Sequence, residues 1–327
     1  MTASGGQRLH VELRCEIAQH IGVGHAARCV TLAVALAAAG HDAEIVSPRL
    51  PRWLQGRLDR AGVASNRTSS RTPALLVVDG YGLGDEVRQA TSHGTPTLLI
   101  DDNRELPADL ATLVLNPNPH AAVEMYGDLD VSRLLLGTRY ALVREDVVAV
   151  GPRSVDVDGT VEVPTVVAIG GTDPLGLTLP TVRHVLAAGG RAIVSAAGPV
   201  ADVNALAADP SVTVDPGDLV EAYRRADLAV VGGGGTMWEV ACLGIPAIAA
   251  IVADNQAGGA TTAGELGLVV PVDVRADDGV DRLSAAIAAL MADTARRREM
   301  HQRGPQVIDG RGPSRVVDAV ERLLFER

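Results

Sequence analysis

Residues 228–239 read Leu-Ala-Val-Val-Gly-Gly-Gly-Gly-Thr-Met-Trp-Glu, an apolar run that leads through four glycines into a helix-forming segment. A short apolar run that ends in glycine is typical of a strand buried in a parallel sheet. Successive glycines can aim several backbone amides at one oxyanion, and the start of a helix adds its positive dipole end. This stretch therefore predicts an α/β domain with a loop suited to a phosphate or diphosphate.

The first half of the chain repeats this arrangement. Residues 11–15 form a predicted strand, Gly22 and Gly24 form the turn, and an apolar helix follows from 25 to 39, closed by Gly40. Other apolar runs alternate with helical stretches, as in a parallel sheet covered by helices on both faces. Those runs are 43–46, 75–78, 97–100, 113–115, 165–169, 192–195, 247–251 and 268–270. We therefore predict two Rossmann-like α/β domains that face each other across a cleft.

The alternation weakens in a polar, Asp- and Gly-containing stretch from 143 to 164, which is the predicted linker. We place an N-terminal domain at 1–145 and a C-terminal, nucleotide-binding domain at 160–312. The last segment, 313–327, is a predicted helix that packs back on the N-terminal domain. In the second half, further helices are predicted at 179–188 and 280–303.

Composition excludes several classes of function. The 327 residues have a net charge of -11, and all 29 basic residues are arginines. Without lysine there is no Schiff base, no pyridoxal phosphate anchor and no Walker lysine. An acidic chain without a basic run is a poor partner for nucleic acid or an anionic membrane. The three cysteines suggest neither a disulfide framework nor a zinc site, so we expect a cytoplasmic protein with no membrane insertion. The oligomeric state is not predicted.

His25 is the candidate catalytic residue, because it would lie at the positive end of the first predicted helix. That position disfavours the imidazolium form and keeps a neutral base available. Arg28 lies three residues further on, on the same helix face, and is a candidate substrate ligand with Gly22 and Gly24. The alternative is structural: a tight turn, a histidine near the cap and an arginine in an ion pair.

Glu239 has two interpretations. Thr236 and Glu239 fit the capping-box pattern, in which both residues only complete a helix start. Alternatively, the two oxygens of Glu239 accept hydrogen bonds from two ribose hydroxyls. In that case the nucleotide-binding residues would be Gly171, Thr172, Gly233, Gly234, Gly235, Thr236 and Glu239.

Polar residues at other strand ends complete the candidate set. Asp79 and Tyr81 follow one predicted strand, and Asp101 and Asp102 follow the next, where active sites of this architecture collect. Asp254 is a predicted helix cap, whereas Asn255 and Gln256 could bond the hydroxyls of a sugar. Because no histidine spacing fits a metal site, we predict neither a metal nor a cofactor.

These stretches, taken in order, resemble a known family. They read RCEIAQHIGVGHAARCVTLAVAL at 14–36, VDGYG at 78–82, IDD at 100–102, LGTRYAL at 136–142 and GGTDP at 170–174, with 226–256 last. The chain resembles the metal-independent UDP-sugar hydrolases of pseudaminic acid biosynthesis (UDP-2,4-diacetamido-2,4,6-trideoxy-β-L-altropyranose hydrolase) and related spore-coat polysaccharide proteins. That resemblance implies a GT-B-like fold with UDP on the C-terminal domain.

The resemblance also implies roles. His25 would activate water for inverting attack at the anomeric carbon, and the glycine loops would stabilise the diphosphate leaving group. Glu239 would hold the ribose, while Tyr81, Asn255 and Gln256 would face an amino or deoxy sugar. This chain has Glu16 and Ala18 where the family has Asp and Ser, so a different nucleotide sugar stays open.

Two other functions remain open at the sequence level. An inverting glycosyltransferase would use the same histidine and the same leaving-group loops, with a sugar-acceptor hydroxyl in place of water. A non-catalytic sugar-nucleotide-binding protein would keep the fold and bind without turnover.

Overall fold

The protein is described by a computed structural model, in which residues 8–17, 23–47, 50–68, 71–159, 162–170, 173, 175–195, 206–215 and 219–325 are placed. The chain divides into two units. Unit 1 is made of Met1–Leu142 and Gly312–Arg327, and unit 2 is made of Val143–Arg311. Each unit is built on one parallel sheet, which confirms the predicted fold class of two Rossmann-like α/β domains.

The sheet of unit 1 has seven strands in the order β3-β2-β1-β4-β5-β6-β7, and that of unit 2 has six in the order β10-β9-β8-β11-β12-β13. In unit 1 the strands are β1 His10–Cys15, β2 Asp42–Val46, β3 Ala64–Asn66, β4 Leu75–Asp79, β5 Thr97–Ile100, β6 Leu113–Asn116 and β7 Leu134–Leu136. In unit 2 they are β8 Pro164–Ala168, β9 Arg191–Ser195, β10 Val212–Asp215, β11 Leu228–Gly232, β12 Ala247–Ile251 and β13 Val270–Asp273.

Helices cover both sheets. They are α1 Gly24–Ala38, α2 Arg52–Ala61, α3 Gly84–Ser92, α4 Glu145–Val150, α5 Thr178–Ala187, α6 Leu219–Arg225, α7 Gly235–Leu243, α8 Asp254–Glu265, α9 Gly279–Ala292, α10 Thr294–Val307 and α11 Gly312–Phe325. Short 3-10 turns occupy Ala108–Leu110, Val123–Tyr126, Val131–Arg133 and Thr138–Tyr140. Among the residues that the structure describes, no helix is long and apolar enough to cross a bilayer.

The apolar runs form strands because both faces of each sheet are buried. In unit 1, Leu13 and Val77 point to the core shared with α1, while Leu76 and Val78 point to a second core that includes Val87 of α3. A strand whose two faces are both apolar is typical of a parallel sheet that is covered by helices on both sides. In unit 2, Val167 and Val230 belong to one core, and their neighbours Val166 and Val231 on the opposite face are also fully buried.

Each sheet starts in its middle and grows outward in two directions. β1 has β2 on one side and β4 on the other, and β8 has β9 on one side and β11 on the other. At such a switch point, the loops that follow the two central strands lead away from each other and leave a crevice. In unit 1 the crevice lies beyond Cys15 and Asp79, and in unit 2 it lies beyond Ala168 and Gly232.

The last helix returns to unit 1. Val316, Val317 and Val320 of α11 belong to the same apolar core as α1. Nε2 of His41, the residue before β2, lies 3.1 Å from Oε1 of Glu321 in α11. The helix therefore fastens the C-terminus to the N-terminal sheet.

Two element boundaries differ from those predicted. The segment 280–303 was expected to be one helix but forms α9 and α10, because Asp293 lies outside helical geometry (φ -94°, ψ 83°) and caps α10 by accepting from the Arg296 amide. The strand predicted at 268–270 is displaced to Val270–Asp273. The predicted linker contains the short helix α4.

Gly304→Ala tests the packing of α10 on α7. A Cβ at this buried position would lie only 2.3 Å from the carbonyl oxygen of Ala241, so the helices must separate. We expect a loss of about 1–3 kcal/mol in the free energy of unfolding, measured by urea denaturation. Gly56→Ala in α2 is the matched control, because its Cβ would meet only the flexible Arg60 side chain at 3.7 Å. It should gain roughly 0.5–1 kcal/mol of helix propensity. Equal stability of the two variants would contradict this account of the packing.

Candidate functional site

In unit 1, the candidate residues collect beyond the ends of β1 and β4. α1 begins at Gly24, so His25 lies in its first turn, where the unpaired amides and the positive dipole end are. A Cβ added to Gly24 would meet no heavy atom of the described residues within 4 Å. Gly22, which was predicted to form the same turn, lies outside the described residues.

His25 is 4% exposed. It faces Asp79, the last residue of β4, and Tyr81 in the loop that follows. Its Nδ1 lies 3.8 Å from Oδ1 of Asp79, and its ring meets that of Tyr81 edge to face at a centroid distance of 4.8 Å. Among the described residues, Nδ1 has no hydrogen-bond partner. Asp79 is therefore positioned to stabilise a positive charge on the imidazole, at a distance that a small movement would convert into a hydrogen bond.

Arg28 lies between two carboxylates. It donates to Asp79 from Nε (3.0 Å to Oδ2) and from Nη2 (2.8 Å to Oδ1), and Nη1 donates to both oxygens of Asp102 at 2.7 and 2.8 Å. The guanidinium is thus occupied by acids from two strand ends. The structure therefore places Arg28 in the ion pair that the sequence left open as the alternative to substrate binding.

The ion pairs change the acidity of the three groups. Burial raises the pKa of Asp79, and the Arg28 charge only partly opposes this. Burial also acts on Asp102, but there the charge and hydrogen bonds of Arg28 outweigh it and the pKa is lowered. The pKa of Arg28 is raised, because the two carboxylates outweigh its burial. The Arg28 charge therefore stabilises the ionised form of the buried Asp79 carboxylate.

Two asparagines at the end of β6 contact Asp102, and the sequence analysis did not predict this role. Asn118 donates to Oδ1 of Asp102 at 2.6 Å, and Asn116 donates to the backbone oxygen of Asp102 at 3.0 Å. The rule that indicated Asp79 and Asp102, a polar residue at a strand end, also applies to Asn116. Glu16 was noted only as a departure from the family, yet its Oε2 accepts from the Gly82 amide at 3.0 Å and holds the loop that carries Tyr81.

A cavity of about 430 Å³ lies beside that loop. Tyr81 lines it from the loop after β4, Arg88 from α3, and Glu105 from the segment after β5. Tyr81 therefore contacts His25 and also lines the cavity.

In unit 2, the two glycine loops are neighbours at the switch point. Gly232 ends β11, and a Cβ there would lie 3.6 Å from the backbone nitrogen of Gly170, which follows β8 with a left-handed φ of 74°. The Gly233 amide donates to the Ala250 oxygen at 2.8 Å and fixes the loop to β12. Gly171 and Thr172 lie outside the described residues.

The capping-box interpretation of Thr236 and Glu239 is wrong. α7 begins at Gly235, its N-cap is Gly234, and the cap has no side-chain hydrogen bond. Thr236 is thus already inside the first turn. No side chain of the described residues caps the start of α7. The backbone amides of its first turn therefore lie beside Gly233 and Gly234 without a side-chain acceptor from the cap.

Glu239 is held by residues that the sequence did not indicate. Its Oε2 accepts a hydrogen bond of 2.9 Å from the hydroxyl of Tyr223 in α6, whose side chain is fully buried. Arg144, at the start of α4, lies close enough for its charge to interact with that of Glu239.

Gln256 contacts the glycine loop. Its Oε1 accepts from the Val252 amide at 3.0 Å and lies 3.3 Å from the position of a Cβ on Gly233. Asn255 is exposed in the first turn of α8. The cap predicted at Asp254 is wrong, since Ala253 is the N-cap and Asp254 pairs with Arg275.

The structure thus forms two groups, each within one unit. Gly24, His25, Arg28, Asp79 and Tyr81 lie together in unit 1, and Gly233, Gly234, Gly235, Thr236, Glu239 and Gln256 lie together in unit 2. Among the residues that the structure describes, no cluster of histidine, cysteine and acidic residues could hold a metal.

No protein-family model matches the chain. A stretch of 110 residues, 34% of the chain, is 26% identical to the spore coat polysaccharide biosynthesis protein SpsG of Bacillus subtilis (strain 168). The match spans about a third of the length of that protein, 32%. It supports the spore-coat part of the resemblance and leaves the hydrolase part a prediction.

Solved structures match the whole fold. The glycotransferase of kitacinnamycin superposes with a TM-score of 0.67 at 17% identity, over 97% of this chain and 100% of that one. The S. aureus MnaA–UDP co-structure superposes with a TM-score of 0.68 at 12% identity, over 97% of each chain. At these identities the likeness concerns the fold alone, and it shows two parallel-sheet domains of the GT-B type.

Arg28→Met tests the role of the buried cation. It leaves Asp79 and Asp102 without their partner, and breaking a buried pair costs about 3–5 kcal/mol. The pKa of Asp79, already raised, rises further in the variant, so the native state binds more protons than the unfolded state above about pH 4. Stability then falls as pH rises. Urea denaturation should therefore show a larger deficit at pH 7.5 than at pH 4.5.

Arg88→Met is the control for that experiment. Arg88 is exposed and pairs only loosely with the exposed Asp85, at 3.4 Å. Such a surface pair contributes little, so the control should unfold like the wild type at both pH values. A deficit in Arg28→Met that does not depend on pH would contradict the assigned charge role.

Proposed function

We propose that the chain is a nucleotide-sugar hydrolase that works without a metal and inverts the configuration at the anomeric carbon. The nucleoside diphosphate that it releases is proposed to be UDP. The observation that carries this proposal is the buried His25 at the start of α1 with the Asp79 carboxylate 3.8 Å from its Nδ1. A histidine with a carboxylate behind it is an arrangement suited to a general base. The fold is also that of proteins whose names refer to a glycotransferase and to UDP.

His25 acts on water in this proposal. Because Nδ1 faces Asp79, Nε2 is the nitrogen that accepts the proton. The water oxygen forms a bond to the anomeric carbon as the bond from that carbon to the diphosphate oxygen breaks, and the electron pair leaves with the diphosphate. The imidazolium is stabilised by Asp79, which Arg28 holds in place through two hydrogen bonds.

The leaving group is assigned to unit 2. The amides at the start of α7 and the loop of Gly233, Gly234 and Gly235 face the switch-point crevice, where a diphosphate would meet donors and the helix dipole. Thr236 adds a hydroxyl in the first turn. Glu239 is proposed to accept from the ribose hydroxyls, and Asn255 and Gln256 to lie toward the sugar.

The sugar is assigned to the side of unit 1 that carries Tyr81. The cavity beside Tyr81 offers room for a ring substituent, and Arg88 and Glu105 offer polar groups of both signs. An amino or deoxy sugar, as the family resemblance implies, would fit this mixed polar and apolar lining.

The second candidate is an inverting glycosyltransferase. It is favoured by the match of the whole chain to a protein described as a glycotransferase. The same histidine would then take the proton of an acceptor hydroxyl.

The proposal is tested with a panel of UDP-, CMP-, GDP- and dTDP-sugars, with chelator present and no acceptor added. We expect release of nucleoside diphosphate and free sugar from one of them. His25→Ala should lower kcat by about 10²–10⁴ and leave the affinity for UDP within about twofold. His93→Ala is the control, because His93 is an exposed residue at the end of α3.

Each other outcome selects a different function. Binding without release, followed by transfer once an acceptor is added, would establish the glycosyltransferase. Tight binding with no turnover under either condition would establish a binding protein. Loss of activity with chelator that returns with a divalent cation would refute the metal-independent step.

A further inference from the structure

Glu239 belongs to a partly buried polar cluster that neither the sequence nor the proposed reaction explains. The cluster consists of Tyr223 from α6, Arg144 and Asp146 from the start of α4, and Glu239 from α7. All four residues belong to unit 2. Their chain segments are far apart in sequence, so folding has brought them together around one carboxylate.

We infer that Tyr223 is a positioning residue: its hydroxyl fixes the Glu239 carboxylate in the orientation that receives the two ribose hydroxyls of the nucleotide. This inference rests on the proposed function, since it takes Glu239 as the ribose ligand. Tyr223 itself has no exposed surface and cannot touch a ligand. Any effect it has on nucleotide binding must pass through Glu239.

Geometry supports a positioning role. The Tyr223 hydroxyl donates to Oε2 of Glu239 at 2.9 Å, which uses one of about four lone-pair positions on the carboxylate. A free glutamate on a helix surface samples several rotamers, and fixing one of them beforehand removes an entropy cost from binding.

Charge keeps the hydrogen bond in one direction. Burial and the negative charge of Glu239 both raise the pKa of Tyr223 well above its usual range, so the hydroxyl stays a donor. Arg144 donates to Asp146 from Nε and Nη2 at 2.5 Å each, and its charge also acts on Glu239. Arg144 thus offsets the two carboxylates while the neutral tyrosine sets the orientation of one of them.

The test compares two ligands that differ only at the ribose. In isothermal titration calorimetry, the wild type should bind UDP more tightly than 2′,3′-dideoxy-UDP. Tyr223→Phe, which keeps the buried ring, should weaken UDP binding about tenfold, as expected for one hydrogen bond to a charged group. It should change the affinity for the dideoxy ligand by less than about twofold. Turnover should show a raised KM with kcat unchanged.

Two further variants define the coupling. Glu239→Gln should remove most of the preference for UDP over the dideoxy ligand, and adding Tyr223→Phe to it should have little further effect. Tyr140→Phe is the control for loss of a tyrosine hydroxyl, because Tyr140 lies in unit 1. It should bind both ligands like the wild type.

The outcomes separate this inference from the function on which it rests. If Glu239→Gln loses the ribose preference and Tyr223→Phe keeps it, the positioning role is refuted and the nucleotide site stands. Equal weakening of both ligands in Tyr223→Phe would also refute it, since the tyrosine would then act on the fold. If the wild type binds neither ligand, and binds none of CDP, GDP and dTDP, the proposed function itself fails.

Discussion

A parallel sheet that grows outward from its middle leaves one place on its carboxyl edge where neighbouring loops lead apart, and both units of this protein are organised around that place. In unit 1 this place lies between β1 and β4. His25 and Asp79 are therefore neighbours in space, although they are 54 residues apart in the sequence (79 − 25). In unit 2 it lies between β8 and β11, which brings Gly170 beside Gly232. Strand order alone therefore assembles the residues, before any side chain contributes.

The two crevices handle charge differently. Unit 1 buries Asp79 fully, and an isolated buried carboxylate would be costly. Arg28 offsets that cost, and Asp102 with Asn118 then holds the far side of the guanidinium. Unit 2 instead uses backbone amides, a neutral tyrosine and one arginine that is already bound to Asp146. The Arg28 charge in unit 1 is thus used in ion pairs. Under the proposed function, the diphosphate in unit 2 would be bound by groups that carry no net charge.

The sequence predicted what depends on local pattern and missed what depends on contacts between distant segments. Apolar runs ending in polar residues predicted the strands and placed Asp79 and Asp102 at a common edge. Tyr223 lies inside a short helix, where no local feature distinguishes it from a core residue, so its bond to Glu239 could not be foreseen. Thr236 and Glu239 matched a capping box, but the flexible glycines let α7 start earlier, at Gly235, and the pattern lost its meaning.

Because the chain has no lysine, arginine carries all of its basic charge. Arg28 and Arg144 are both engaged by carboxylates. Under the proposed function, the diphosphate is then met by amides and the Thr236 hydroxyl, none of which titrates near neutral pH. The ionised side chains that face the reacting sugar would then belong to unit 1, whereas unit 2 would bind the diphosphate with neutral groups. His25 and the glycine loops belong to different units. Under the proposed function, substitutions near His25 would therefore change the chemistry at the sugar while the backbone geometry of the glycine loops stays the same.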